Sequence, residues 1–142
     1  MQENLNAQVI SCFYETSEDC VKVVDTSGIL QSFNENGLKV MEIDNEKDVI
    51  GKAWLSFWTG DLEIPAREAF QKAVAGEPAL FEGFCPTFKG TMKYWTVSLV
   101  PIMNDAGTVA SILITSKDTT KIIELEMRIN DLETEMTKLR TA

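Results

Sequence analysis

Histidine is missing from all 142 positions of this chain, and its absence removes much chemistry at once. A Ser-His-Asp triad, an imidazole metal site, a proximal-histidine haem and a phosphoacceptor histidine are all excluded. Glycine is sparse: Gly28, Gly37, Gly51 and Gly60 stand singly, which is turn usage, and no Gly-rich phosphate loop can be read. No apolar run approaches the ~20 residues of a membrane span, and the N-terminus has no signal-peptide pattern. Basic residues are outnumbered, 13 Lys and Arg against 22 Asp and Glu. The resulting net charge of −9 argues against nucleic acid or an anionic membrane as partner. Cysteine is also rare. Cys12, Cys20 and Cys85 are odd in number and lack CxxC spacing, so they read as reduced thiols of a cytoplasmic protein. A hydrophobic content of 44% is ordinary for a packed core.

What the sequence does have is concentrated in its tail. A strand-like segment, Val109 to Ser116, runs into Asp118-Thr119-Thr120, and then Ile122, Leu125, Ile129, Leu132, Met136 and Leu139 follow. Their spacings of 3 and 4 alternate, which is a heptad seam. With Ile122 at position a, the a set is Ile, Ile, Met and the d set is Leu throughout, a combination that favours a parallel two-stranded coil. In such a dimer each g residue faces the next e residue of the partner. The pairs are Lys121 with Glu126, Arg128 with Glu133 and Glu135 with Arg140, all opposite in sign. The competing expectation is an amphipathic helix packed back on its own domain, which usually carries a wider apolar stripe. The seam reads as the opening of a longer coil, and the abrupt ending at Thr141-Ala142 as that of a fragment.

Ahead of the tail there is room for one domain of roughly 115 residues. Residues 1–15 place Leu5, Val9 and Cys12 at helical spacing. Cys20 to Val24 is an apolar strand broken by Lys22, Asp25-Thr26-Ser27-Gly28 a hairpin turn, and Ile29 to Phe33 the return strand. Asn34 can cap a short helix through Met41. Trp54, Phe57 and Trp58 fall in a compact region of short helical turns. Pro65 suits the first turn of a helix that Gly76 stops. Residues 79–88, 92–103 and 108–117 then form three strands, with Trp95, Val97, Leu99 and Pro101 on one face of the middle one. The last strand is apolar on both faces, so its outer face should be covered, by the N-terminal helix or a partner subunit. This order predicts an α+β domain with a five-stranded antiparallel sheet and helices on one face.

These residues resemble a PAS domain over roughly residues 10–120. The resemblance rests on the hairpin "VKVVDTSGILQSFN", the segment "VIGKAWLSFW" and the closing pair "KYWTVSLVPIMNDAGTVASILITSKDTT". Asp118-Thr119-Thr120 matches the Asp-x-Thr junction that ends such domains and starts a signalling helix. The stretch "FEGFCPTFKGTMKYWTV" looks like a subgroup common in bacterial sensor histidine kinases and related regulators. The resemblance implies a cap helix (1–15), a PAS domain (16–118) and a dimerisation coil (119–142) feeding an output domain outside this chain. At the junction, Asp118 can accept linker N–H groups or pair with a basic linker residue, and Thr120 can cap the coil helix. Position 123, where a capping box needs Glu or Gln, is Ile123.

Trp54, Phe57, Trp58, Phe70, Phe84, Trp95 and Val97 are the candidate lining of a ligand cavity between sheet and short helices; plain core packing is the alternative. Light- and gas-sensing members of the family narrow the cofactor. Haem through histidine is excluded. A LOV-type flavin adduct needs a cysteine in a helix that here reads "AWLSFWTG". A chromophore on Cys85, as in photoactive-yellow-protein types, gives way to a small buried residue within "FCP". A noncovalent flavin or another small organic ligand stays open, as does no cofactor at all. No metal site is expected, and the pairs Glu42 with Asp44 and Asp61 with Glu63 read as solvated surface. The leading functional expectation is a sensory module that dimerises and relays a signal to an output domain of a two-component histidine kinase. The alternatives are a ligand-free dimerisation or interaction module, for which a packed interior is the discriminator, and a small cone-shaped α+β enzyme. No catalytic constellation is present for the last.

Overall fold

The computed structural model describes residues 2–141; Met1 and Ala142, which fall in the expected segments 1–15 and 119–142, lie outside them. The chain runs α1 (Gln2–Thr16), β1 (Cys20–Asp25), β2 (Leu30–Phe33), α2 (Glu35–Val40), then three 3₁₀ turns at Glu46–Asp48, Trp54–Phe57 and Gly60–Leu62. There follow α3 (Glu63–Val74), β3 (Ala79–Pro86), β4 (Met92–Met103), β5 (Val109–Asp118) and α4 (Thr120–Thr141). All strand pairs are antiparallel, in the order β2-β1-β5-β4-β3. The α+β architecture with a five-stranded antiparallel sheet therefore stands. Its order brings the first strand beside the last, so residues nearly a hundred positions apart share one patch of the inner face.

The inner face carries Val24, Trp95, Val97, Leu99, Ile112 and Ile114, all fully buried. Against it lie Trp54, Trp58, Leu62 and the alanines of α3, Ala66, Ala69 and Ala73. Small residues let α3 approach the sheet closely, while Trp54, Trp58 and Phe81 fill the remaining depth in edge-to-face contact, with centroids 5.0–6.2 Å apart. Truncating one such buried aromatic typically costs about 3–5 kcal/mol.

Local chemistry sets the connections. In the first hairpin Asp25 Oδ1 accepts from the amides of Ser27 and Ile29, and Gly28 takes φ +85°, where a side chain is strained. Asn34 caps α2 through its side chain. Gly37, in the middle of α2, has no room for a Cβ: one would stand 3.0 Å from the Cys20 Cα and 3.1 Å from its Sγ. The expected strand 79–88 stops at Pro86, because the next residues turn, with Gly90 N–H donating to the Thr87 carbonyl.

Two expectations about the surface fare differently. α4 does not pack back on the domain, since none of its residues is buried. The N-terminal helix leaves the outer face of β3 and β4 open: Leu5, Val9, Ile10 and Phe13 of α1 are exposed, and so are Leu80, Val100 and Ile102, while Leu113 on the outer face of β5 is half-buried. Among the described residues, α1 is tethered near its end, where Asn34 Nδ2 donates to the Tyr14 carbonyl.

Candidate functional site

Between the sheet and the 3₁₀ segment lies a cavity of about 250 Å³. Its aromatic wall contains Trp54, Phe57, Trp58 and Trp95, with Leu30, Phe33, Ile43 and Val49 completing the apolar lining. Four of the seven expected lining residues thus meet there. The other three do not. Phe70 packs behind Trp54, with ring centroids 6.4 Å apart, and against Gly28. Val97 is fully buried in the core. Phe84 lies on the opposite face of the sheet, half-exposed, against Tyr94 at 4.9 Å. The reason is strand parity: Phe81 and Cys85 of β3 point inward, so Phe84 must point out.

Polar groups on the wall are few. Cys85 is buried there, and burial pushes its thiol pKa up while a backbone hydrogen bond at Thr59 lowers it. It remains a protonated, unreactive thiol. Ser56, Thr59 and Phe88 are exposed lining residues that mark where the cavity meets solvent. That mouth is clasped by the β3–β4 turn: Phe88 N–H donates to the Met41 carbonyl at 3.0 Å, Lys89 pairs with Asp44 at 2.9 Å, and Thr87 Oγ1 donates to Glu42. The hydroxyls of Thr87 and Thr91 hold the Glu42 carboxyl below the usual range. Glu42 and Asp44 are therefore tied to the hairpin rather than merely solvated.

The least expected wall residue is Lys22, only 2% exposed. Its ammonium donates to Ser116 Oγ at 2.8 Å and to Cys20 Sγ at 3.2 Å, and sits 5.4 Å from the Phe33 ring centroid. Sequence reading treats it as a break in an apolar strand. The signal available was Ser116, an inward polar residue on β5 that gives a buried lysine a partner.

At the same end of the sheet, where Asp118 pairs with Trp95 of the cavity wall, the start of α4 is stitched to β4. Thr119 N–H donates to the Tyr94 carbonyl at 2.8 Å, and Tyr94 N–H to Thr120 Oγ1 at 2.9 Å. Thr119 and Thr96 hydroxyls meet at 3.1 Å. Asp118 Oδ1 accepts from both the amide (3.1 Å) and the hydroxyl (2.5 Å) of Thr120, and Oδ2 pairs with Lys93 at 3.4 Å. Partial burial raises the Asp118 pKa, but the Thr120 hydrogen bonds and the Lys93 ammonium outweigh it, so the carboxyl stays below its ordinary value. Thr120 does not cap the helix as expected. It is the first helical residue, and Asp118 supplies the acceptor while Thr119, whose carbonyl accepts from Ile123 N–H, occupies the cap position. The basic partner of Asp118 comes from β4 and not from the linker.

A family model described as PAS fold matches residues 14–122. The chain belongs to the PAS fold family. Solved PAS structures share its architecture. It superposes with a TM-score of 0.71 at 17% identity on the PAS domain of a protein from Colwellia psychrerythraea, over 81% of this chain and 98% of that one. A domain of the sensory box sensor histidine kinase/response regulator from Geobacter sulfurreducens gives 0.66 at 18% identity, over 80% and 94%. An RNA-binding light-oxygen-voltage receptor gives 0.76 at 17% identity and covers 99% of this chain, which spans 40% of that receptor's length. No curated protein matches the sequence. At these identities the likeness is one of fold. Within this PAS domain the cavity lies below the about 300 Å³ at which pockets for drug-sized ligands begin. Among the described residues no cluster of His, Cys, Asp and Glu is placed to hold a metal ion, and no helix is long and apolar enough to cross a membrane.

Proposed function

We propose that this PAS sensory domain dimerises through α4 as a parallel coiled coil and relays the state of its cavity through Asp118-Thr119-Thr120 to an output domain outside this chain. A two-component sensor histidine kinase is the parent we favour. The observation that carries the reading is α4 itself. Its seam residues Ile122, Leu125, Ile129, Leu132, Met136 and Leu139 are all exposed in the single chain, and no other element covers them. Such a row needs an occupant, and the opposite-sign g–e pairs Lys121–Glu126, Arg128–Glu133 and Glu135–Arg140 fit a second copy in parallel register. The base of that helix is fixed to β4 by the hydrogen bonds of Thr119 and Thr120, so a small rotation of the last strand, β5, against β4 would re-aim the coil. The cavity supports sensing over the ligand-free interaction module, for which a packed interior is expected. The likeness to a histidine kinase domain supports the choice of parent.

Sedimentation velocity tests the dimer. The parent chain should run as a dimer at micromolar concentration, and Leu132→Glu, which places a charge in the centre of the seam, should shift it to monomer with unchanged near-UV dichroism. A Leu132→Glu chain that sediments like its parent would remove the coil as the dimer interface.

A further inference from the structure

Deepening the sensory reading, and resting on it, we propose that the cavity takes a small organic monocarboxylate. Its apolar or aromatic body lies among Trp54, Trp58 and Trp95, and its carboxylate meets Lys22. The argument begins with a charge that has no counter-charge. Lys22 is as buried as the core leucines around it, and an ammonium out of water is costly unless an anion compensates it. Its two hydrogen-bond partners, the Ser116 hydroxyl and the Cys20 sulfur, are neutral, and so is the Phe33 ring beside it. The ion pairs among the described residues are Arg67–Glu63, Lys89–Asp44 and Lys93–Asp118, and none includes Lys22. An ammonium has three N–H donors, so one remains after Ser116 and Cys20.

A second donor, on another residue of the cavity wall, is also unused. Trp58 is 4% exposed, and its indole N–H has no acceptor among the described residues. Buried donors are nearly always paired, and those that are not call for an explanation. Two unmet donors, one of them cationic, on residues that line a mostly apolar space ask for an acceptor that carries negative charge. One ammonium balances one charge, which favours a monocarboxylate over a phosphate or a dicarboxylate. The volume sets the size, below that of a drug-like ligand. The net charge of −9 works against anions at a distance, so the apolar body must supply the drive to enter.

The chain carries its own reporter, since its three tryptophans all line this cavity. The experiment titrates the full chain with benzoate, phenylacetate, 3-phenylpropionate and octanoate, each against its primary amide, and follows tryptophan emission. At least one acid should bind ten or more times as tightly as its amide. Lys22→Met, which fills the same space without charge, should erase that difference, and Trp58→Phe should weaken the acid severalfold. Acid and amide binding alike, or none of the four acids changing the emission at millimolar concentration, overturns the proposal. The acid–amide comparison needs no variant, so it stands if Lys22→Met fails to fold. Self-association is read separately by sedimentation, so failure of the carboxylate site and failure of the dimer are told apart.

Discussion

Asn34 is 1% exposed and uses its whole amide. Its Oδ1 accepts from the amides of Val21 (2.8 Å) and Gly37 (3.0 Å), and its Nδ2 donates to the carbonyls of Tyr14 and Asp19, both at 3.0 Å. One side chain thus fixes the end of α1, the start of β1 and the cap of α2. Asn34→Asp keeps the shape and the acceptor but turns a carboxylate oxygen toward two carbonyls. The expected cost is about 3 kcal/mol, from two lost hydrogen bonds and a buried unpaired charge, seen as a fall of roughly 10 °C in melting temperature. A variant melting within a couple of degrees of the parent would show that the network is not what holds these elements. At this scale the sequence is readable in part. The cap role of Asn34 follows from its place before a short helix, but its other partners come from segments that only the fold brings near. Lys22 is harder still. Val21 and Val24 are both fully buried, so both faces of β1 read as apolar and parity does not say which one takes the lysine.

Elements were more legible than the residues that line the cavity. Strand alternation places Trp95, Val97 and Leu99 inward as observed, and the heptad spacing gives α4 its length. Helix starts were less so, because Thr119 and Asp118 divide between them the work expected of Thr120. That division makes the α4 start pH-dependent. The folded Asp118 pKa lies below the unfolded one, so the stabilisation is complete at neutral pH and is lost as pH falls through the folded value, below the ordinary carboxylate range near 4. Hydrogen exchange at the Thr120 amide should accelerate, relative to other first-turn amides, below about pH 4. Asp118→Asn should flatten that dependence; an identical acid profile in the variant would mean that another group governs the junction.

For the whole molecule, the proposed parallel coil sets how two copies would be arranged. Both domains would sit at the same end of such a coil, whereas an antiparallel coil would hold them apart with no shared junction. With Cys12→Ser removing the exposed thiol, Leu125→Cys should form a disulfide across the seam under mild oxidation, because parallel register places identical d residues face to face. Monomer persisting under oxidation, while sedimentation still shows a dimer, would point to antiparallel or out-of-register pairing. One ammonium within each copy has a further consequence. Lys93 donates to the Val40 carbonyl at 2.9 Å, next to the Met41–Ile43 wall of the cavity, and also pairs with Asp118 at the root of α4. A shared tether of this kind has no preferred direction. By thermodynamic reciprocity, whatever factor an occupied cavity contributes to coil pairing, coil pairing returns to the cavity's affinity. If the proposed dimer couples to the cavity in this way, dimer and monomer would differ as receptors, and the concentration of the protein would become part of what it senses.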